Sequence, residues 1–403
     1  MVKNLYTNSA IVTDGNWRKS LSVVRSLGKR GCNIGVIGYE FFTTAFWSRY
    51  AKNHYILKDP NKFYSRFSSE LIAILKKRVD LPKPVLFPME DLTIRWAVDN
   101  IKNIEKHCYL LVPDSESLSI AQDKYETFRL ATELGVPCPE TFLARKLSKL
   151  EELITNAIDD STLDSFILKP VSGSGSSGVV YGKDILDIDL KSYFDVNSPV
   201  LFQRLIPENG EAICVSILMD RQSNVVAHFS HKRIHQFPVS GGPSTDRIGI
   251  RNEELVNRSV KLLSKINWVG VAMVEWKYDK PSRQVMLLEI NPRFWGSLEL
   301  AVRSGIDFPY LYFVAAQDIQ PPQTKDDYSI DIRCRWLIPG DILSFLTDKS
   351  NRRRNIKSFI RGLPSEAEEW DKADLLGFFS VLLCSFVNLF KSKYWKYLRS
   401  KRY

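Results

Sequence analysis

The 403-residue chain is 44% hydrophobic and 25% charged, which excludes a disordered or fibrous polymer and leaves a globular protein of two or three domains. Its net charge of +10 would suit nucleic acid, a membrane surface or a polyanionic substrate, but much of it is local. Residues 349–361 hold six cations and residues 391–403 another six, neither stretch with an acid, so the body is closer to neutral and nucleic acid is not expected as a partner.

The six cysteines (Cys32, Cys108, Cys138, Cys214, Cys334, Cys384) show no CxxC or zinc spacing, as in a reducing compartment. The N-terminus lacks a basic-then-apolar leader, so a cytoplasmic protein is expected.

In the first third, strands are expected at 10–13, 33–37, 84–87 and 109–112, with helices at 17–29, 62–78 and 90–101. That rhythm predicts a small parallel sheet with Rossmann-like winding. The turn Thr13-Asp14-Gly15-Asn16 lacks GxGxxG, which speaks against a nicotinamide site. A helix is expected over 120–134, stopped by Gly135, and another around 147–158. Strands and turns dominate 166–230. Then come a helix at 253–266, strands at 269–278 and 284–290, and a helix at 297–304.

Chemistry concentrates in two segments. In Phe166-Ile-Leu-Lys169-Pro-Val-Ser-Gly173-Ser174-Gly175-Ser176-Ser177-Gly178, an apolar strand ends in a lysine and runs into a small-residue loop. Such a loop can turn backbone N–H groups outward as a nest for phosphate oxygens, and Lys169 adds a point charge. A flexible hairpin is the plainer alternative, and no Walker A signature follows. The second segment is Val274-Glu275-Trp276 with Leu288-Glu289-Ile290-Asn291-Pro292-Arg293. If the two strands pair antiparallel, Glu275, Glu289 and Asn291 share one side. Two carboxylates and an amide oxygen suit Mg²⁺ held jointly with phosphates, and Arg293 on the same face can touch a transferring phosphoryl group.

These segments, in this order and spacing with Asp123-Lys124 ahead of them, resemble the ATP-grasp superfamily, especially its biotin carboxylase and carbamoyl-phosphate synthetase branch. The resemblance runs from about Ile120 to Ile338. It implies an α/β protein with a Rossmann-like pre-ATP-grasp domain over 1–115, a two-lobed α+β ATP-grasp domain over 116–338 with a lid lobe at about 140–205, and a basic C-terminal helical tail over 339–403. It also implies that Lys124 and Lys169 contact ATP phosphates under a lid formed by Ser174, Gly175, Ser176, Ser177 and Gly178. The stretch Gln203, Arg204, Leu205 and Ile206 resembles the adenine hinge, with Gln203 where Glu is more usual. Glu211 matches the ribose-contacting acid, Glu275, Glu289 and Asn291 the ligands of Mg²⁺ or Mn²⁺, and Arg293 the phosphate-facing arginine. Arg335 resembles a late arginine that faces the substrate anion.

Biotin carboxylase has a glutamate four residues after the arginine, where this chain has Ser297; a hydroxyl cannot serve as that base. The resemblance therefore implies a carboxylate–amine ligase that passes through an acyl phosphate. The alternatives are a bicarbonate- or carbamoyl-phosphate-type enzyme and a membrane-associated nucleotide binder without catalysis. In the loop after His231, Lys232 and Arg233 are candidates to pair with the acyl phosphate. The spacing of His228, His231 and His235 fits zinc only on a helix, whereas this stretch reads as strand and loop. The partners implied are a small carboxylate and amine, a lipid-linked acceptor and a second copy of the chain.

Residues 375–390 form a mostly apolar run, short of the roughly 20 residues a bilayer span needs. The basic, aromatic residues 391–403 follow at once. Two expectations stand: a helix packed on the body, or an interfacial anchor at the inner face of the membrane.

Overall fold

The computed structural model describes residues 6–77, 82–173, 178–207, 210–238, 242–322, 328–347 and 356–389. The chain opens with a four-stranded parallel sheet of β1 (Ser9–Val12), β2 (Asn33–Gly38), β3 (Ala51–Ile56) and β4 (Val85–Phe87), in the order β3-β2-β1-β4. Around it lie α1 (Arg18–Gly28), α2 (Tyr64–Lys76), α3 (Asp91–Asp99) and the single turn α4 (Ile101–Ile104). Strands β1 and β4 are wholly buried, β1 as an interior parallel strand covered on both faces and β4 although it ends the sheet, where Tyr109 bridges to Val85. The edge strand β3 alternates half-buried and exposed residues, Ala-Lys-Asn-His-Tyr-Ile, and so carried no apolar run to announce it. Conversely, the strand expected at 109–112 reduces to one bridge, Tyr109 against Val85.

The helix expected over 120–134 is two helices, α5 (Ser115–Gln122) and α6 (Lys124–Glu133). Asp123 divides them: its backbone is extended, and its carboxylate accepts the Glu126 N–H at 3.0 Å as an N-cap. The break sets Lys124 at the first position of α6, where its own N–H reaches Val171 O at 3.1 Å.

A small lobe follows, made of β5 (Thr141–Ala144), α7 (Leu147–Asp159), β6 (Phe166–Pro170), β7 (Val180–Tyr181), α8 (Leu190–Asn197) and β8 (Val200–Arg204). Its sheet is antiparallel, ordered β5-β8-β6-β7, and closes on a core that includes Leu150, Ile154, Leu168 and Phe202. Helix α8 interrupts the stretch expected to hold strands and turns; Asp189 caps it by accepting from Lys191 and Ser192 N–H groups.

The large sheet is antiparallel and ordered β13-β12-β9-β10-β11-β14. Its strands are β9 (Ala212–Met219), β10 (Val225–Gln236), β11 (Ser244–Ile250), β12 (Gly270–Asp279), β13 (Gln284–Asn291) and β14 (Arg333–Arg335). Helix α9 (Glu253–Lys265) packs on one face, where Trp276 donates to Ser259 Oγ at 3.0 Å. Helices α10 (Leu298–Arg303) and α11 (Phe308–Ala315) join this sheet to the first through a shared core that includes Phe87, Phe229, Phe294 and Tyr312. Helices α12 (Ile342–Thr347), α13 (Ile356–Ile360) and α14 (Leu375–Leu389) complete the described chain. All six cysteines are free thiols.

Candidate active site

The site is built on the antiparallel pair β12–β13, in which Glu275 stands directly opposite Glu289. Side chains alternate along a strand, so the buried Val274 and Trp276 face α9 while Glu275 faces the other way. Asn291 returns to that side two residues after Glu289 and donates its amide N–H to both carboxylates, at 3.1 and 3.2 Å. Burial pushes the Glu275 carboxyl up against the pull of Arg233, with Glu289 adding to the rise.

Cations ring this pair. Arg233 of β10 meets Glu275 at 3.0 Å and also donates to Gly242 O at 3.3 Å. Lys124 lies 3.9 Å from Glu289 and donates to Gly173 O at 2.5 Å, tying the mouth of the glycine loop to the carboxylates. Lys169 of β6 is only 8% exposed, its ammonium 4.9 Å from the centre of the Phe128 ring. Burial, then the Lys124 charge, bring its pKa down to about 7 against the opposing influence of Glu289. Residues 174–177 lie outside the described residues. Gly178 is described, at φ +72° with its carbonyl accepting from the Tyr193 hydroxyl at 2.6 Å.

The remaining expected residues are placed as follows. Gln203 is buried and donates to Thr141 Oγ1 at 2.6 Å, so its amide belongs to the β5–β8 pair. Leu205 N–H is bonded to Ser165 O at 2.7 Å, and Ile206 O accepts from Lys277 Nζ at 3.2 Å. Arg204 is exposed beside them. Glu211 is exposed and paired with Lys232. His231 is a core residue, its Nε2 3.0 Å from Ser297 Oγ, and burial with the nearby Arg247 and Arg233 charges brings its pKa down to about 3. Among the described residues no cluster of three His, Cys, Asp or Glu side chains forms a metal site.

Arg335 departs from its expected place. It is 2% exposed, donates Nε to Asp341 at 2.7 Å and Nη1 to Phe359 O at 2.7 Å, and lies beneath the Phe359 ring. The expectation that it faces a substrate anion is corrected accordingly: the C-terminal residues cover it.

The residues that sequence reasoning missed come from the helices and turns around the first sheet. Arg293 meets Asp91 at 3.0 Å and Glu90 at 3.8 Å, at the start of α3. Lys19 of α1 reaches Glu90 at 2.6 Å and Phe294 O at 3.0 Å. Burial and the Arg293 charge lower the Lys19 pKa to about 8, Glu90 opposing. Asp14, just past the end of β1, is buried among the hydroxyls of Thr13, Thr93 and Tyr39, and that burial raises its pKa. The C-terminal ends of β1 and β4 thus lead to the residues that hold Arg293, and it is outside such strand ends that open parallel sheets bind ligands. The local signals were the polar turn Thr13-Asp14-Gly15-Asn16 directly after β1 and the acids Glu90 and Asp91 three and four residues past the end of β4.

A parallel sheet followed by two antiparallel lobes, with Lys124 of α6 and Lys169 of the small lobe beside the carboxylates of the large one, defines the two-lobed ATP-grasp fold. Residues 121–297 match the family model described as ATP-grasp domain, so this part of the chain is an ATP-grasp domain. Biotin carboxylase from Campylobacter jejuni, solved as a β,γ-ATP complex, superposes with a TM-score of 0.66 at 16% identity over 81% of this chain and 74% of that one. N5-carboxyaminoimidazole synthetase from Staphylococcus aureus superposes with a TM-score of 0.59 at 14% identity, covering 81% and 80%. In sequence, acetyl-CoA carboxylase 1 of rice is 25% identical over 215 residues, 47% of this chain. The matched part is 9% of that protein and 6% of rice acetyl-CoA carboxylase 2, so the chain spans a small fraction of these relatives.

Proposed function

We propose that the protein is an ATP-dependent carboxylate–amine ligase. The observation that carries this reading is the Glu275–Glu289 pair, bridged by Asn291 and faced by Lys124, Lys169, Arg233 and Arg293. Two like charges in a partly buried place, completed by the Asn291 amide oxygen once that amide turns over, make an oxygen donor set that fits Mg²⁺ or Mn²⁺. Glu275, Glu289 and Asn291 would hold the ion, which would supply charge neutralisation on the phosphates. In the reaction, a donor carboxylate oxygen attacks the γ-phosphorus of ATP, the bridging P–O bond breaks, and ADP leaves with that electron pair. The amine nitrogen then attacks the acyl-phosphate carbon, the C–O bond breaks, and phosphate departs with the surplus proton. Lys124 and Lys169 hold the phosphates, and Arg293, aimed by Asp91 and Glu90, neutralises the transferring group. The loop 174–178 covers the nucleotide, the backbone of 204–206 meets the base, and Glu211 meets the ribose. Lys232 and Arg233 border the acyl phosphate. The domains divide at about 115 and 338, and the protein works in the cytoplasm, on an acceptor that can be lipid-linked.

A screen of amino acids and amino sugars for ADP release, with hydroxylamine as a trap, tests this. ADP should appear only with Mg²⁺ and a carboxylate–amine pair, and hydroxylamine should intercept the carboxylate as a hydroxamate. The similarity to biotin carboxylase and acetyl-CoA carboxylases favours bicarbonate as the second reading. Against it, Ser297 is buried on His231 where that chemistry needs a carboxylate. ADP release with bicarbonate alone would decide for that reading.

Lys169 gives a pH signature. With a pKa of about 7 it is largely neutral at pH 8, and a triphosphate beside it restores its charge. Nucleotide binding should therefore take up close to one proton at pH 8. Affinity should be flat below pH 7 and fall as pH rises above it, by up to ~10-fold per pH unit. Titration calorimetry in buffers of different ionisation enthalpy measures the uptake, and Lys169→Arg should abolish it. Proton-neutral binding across this range would remove Lys169 from the phosphates.

A further inference from the structure

Helix α14 is inverted relative to an ordinary surface helix. Its docked side is small: Gly377, Ser380, Val381 and Cys384 are buried, with Ser380 donating to Thr44 O at 2.9 Å and Cys384 to Phe42 O at 3.3 Å. The fit is close, since a Cβ on Gly377 would lie 3.0 Å from Arg25 Nη2 of α1. Its outward side carries the bulk, with Leu376 62% and Phe379 60% exposed and Leu375, Leu382 and Leu383 exposed beside them. A helix meeting only water puts large apolar residues inward.

The same hydrogen bonds bring the loop after β2 alongside the helix. There Phe41 is 63% and Trp47 39% exposed, their rings 5.7 Å apart and edge to face. Two segments distant in sequence thus lie side by side, each exposing large apolar side chains, more than scattered surface residues would produce.

The composition of the chain indicates what covers that face. Residues 391–403, directly after the helix, carry six cations, three tyrosines and a tryptophan and no acid. An anionic bilayer matches both halves: the acyl boundary takes the bulky side chains and the headgroups take the cations. Among the described residues no helix is long and apolar enough to cross a membrane. We propose that α14 and the 41–47 loop form a docking surface for an anionic lipid bilayer, with α14 lying in the plane of the interface. This stands apart from the ligase reading, because vesicle binding is measured without turnover.

Flotation of the full-length protein with phosphatidylglycerol-containing vesicles, against phosphatidylcholine alone, tests it. The protein should float with anionic vesicles at low salt and far less with neutral ones. The double variant Leu376→Ser/Phe379→Ser should lower the bound fraction ~10-fold or more, as should Lys391→Gln/Lys393→Gln. Phe41→Ser, on the other segment, should also lose binding. The altered apolar side chains are exposed, so melting temperatures should match the parent and separate lost docking from lost folding. Two results would overturn the proposal: a parent protein that stays in the soluble fraction with anionic vesicles at low salt, and variants that float like the parent. Sedimentation showing a dimer that Phe379→Ser converts to monomer, with no vesicle binding, would assign the face to a second copy instead.

Discussion

Glu289→Gln is expected to lower kcat for ADP release by at least about 100-fold, roughly 2.7 kcal/mol of barrier. The substitution keeps the shape of the side chain and can still accept from Asn291 while removing one charge from the pair. Glu289 is half-buried, and losing one of two facing carboxylates relieves their repulsion, so the fold should hold. Melting temperature is the control, and Mg²⁺ titration of the residual activity is the informative readout. If Glu289 helps hold the ion, the variant should also need more Mg²⁺ for half-maximal rate. A folded variant turning over near the parental rate at the parental Mg²⁺ demand would sink the metal assignment, and with it the ligase reading.

Arg335→Ala is expected to destabilise the protein by about 3–5 kcal/mol, because it strands Asp341, itself 1% exposed, without its cation. The backbone around it carries a second seam: Arg335 N–H donates to Glu366 O at 2.7 Å and Glu368 N–H to Arg335 O at 2.8 Å. Arg335→Met with Asp341→Leu should recover most of the loss, since replacing a buried pair costs far less than breaking it. A double-mutant cycle by denaturant or thermal unfolding measures the coupling. Were Arg335 instead an open contact to a substrate anion, Arg335→Ala would leave stability unchanged and abolish turnover alone.

The carboxylate cluster was legible because its logic is local. Alternation in a strand sets Glu289 and Asn291 on one side, and the turn between β12 and β13 puts Glu275 opposite Glu289. The glycine loop after Lys169 was likewise visible as a strand running into small residues. The break at Asp123 was available as an N-cap with Glu126 three residues on, but the apolar spacing across 120–134 masked it. The weak edge strand β3 lacked any such pattern.

Sequence alone carried the resemblance of residues 121–297 to an ATP-grasp domain, the gathering of Glu275, Glu289 and Asn291 on one side of paired strands, and the basic, apolar character of the C-terminus. Tertiary structure decided which charges meet. Arg293 is paired with Glu90 and Asp91, about 200 positions away, and Lys19 with Glu90, about 70 away, by elements distant in sequence, which no periodicity encodes. Arg335 looked like an open anion contact until residues 359 and 366–368 were seen to cover it. The apolar run at 375–389 has one composition but two faces, and only its docking on Thr44 and Phe42 shows that the small face is inside. The physical reason is common to all three: residue type and spacing set what a side chain can do, whereas desolvation and pairing depend on which distant segment is packed against it.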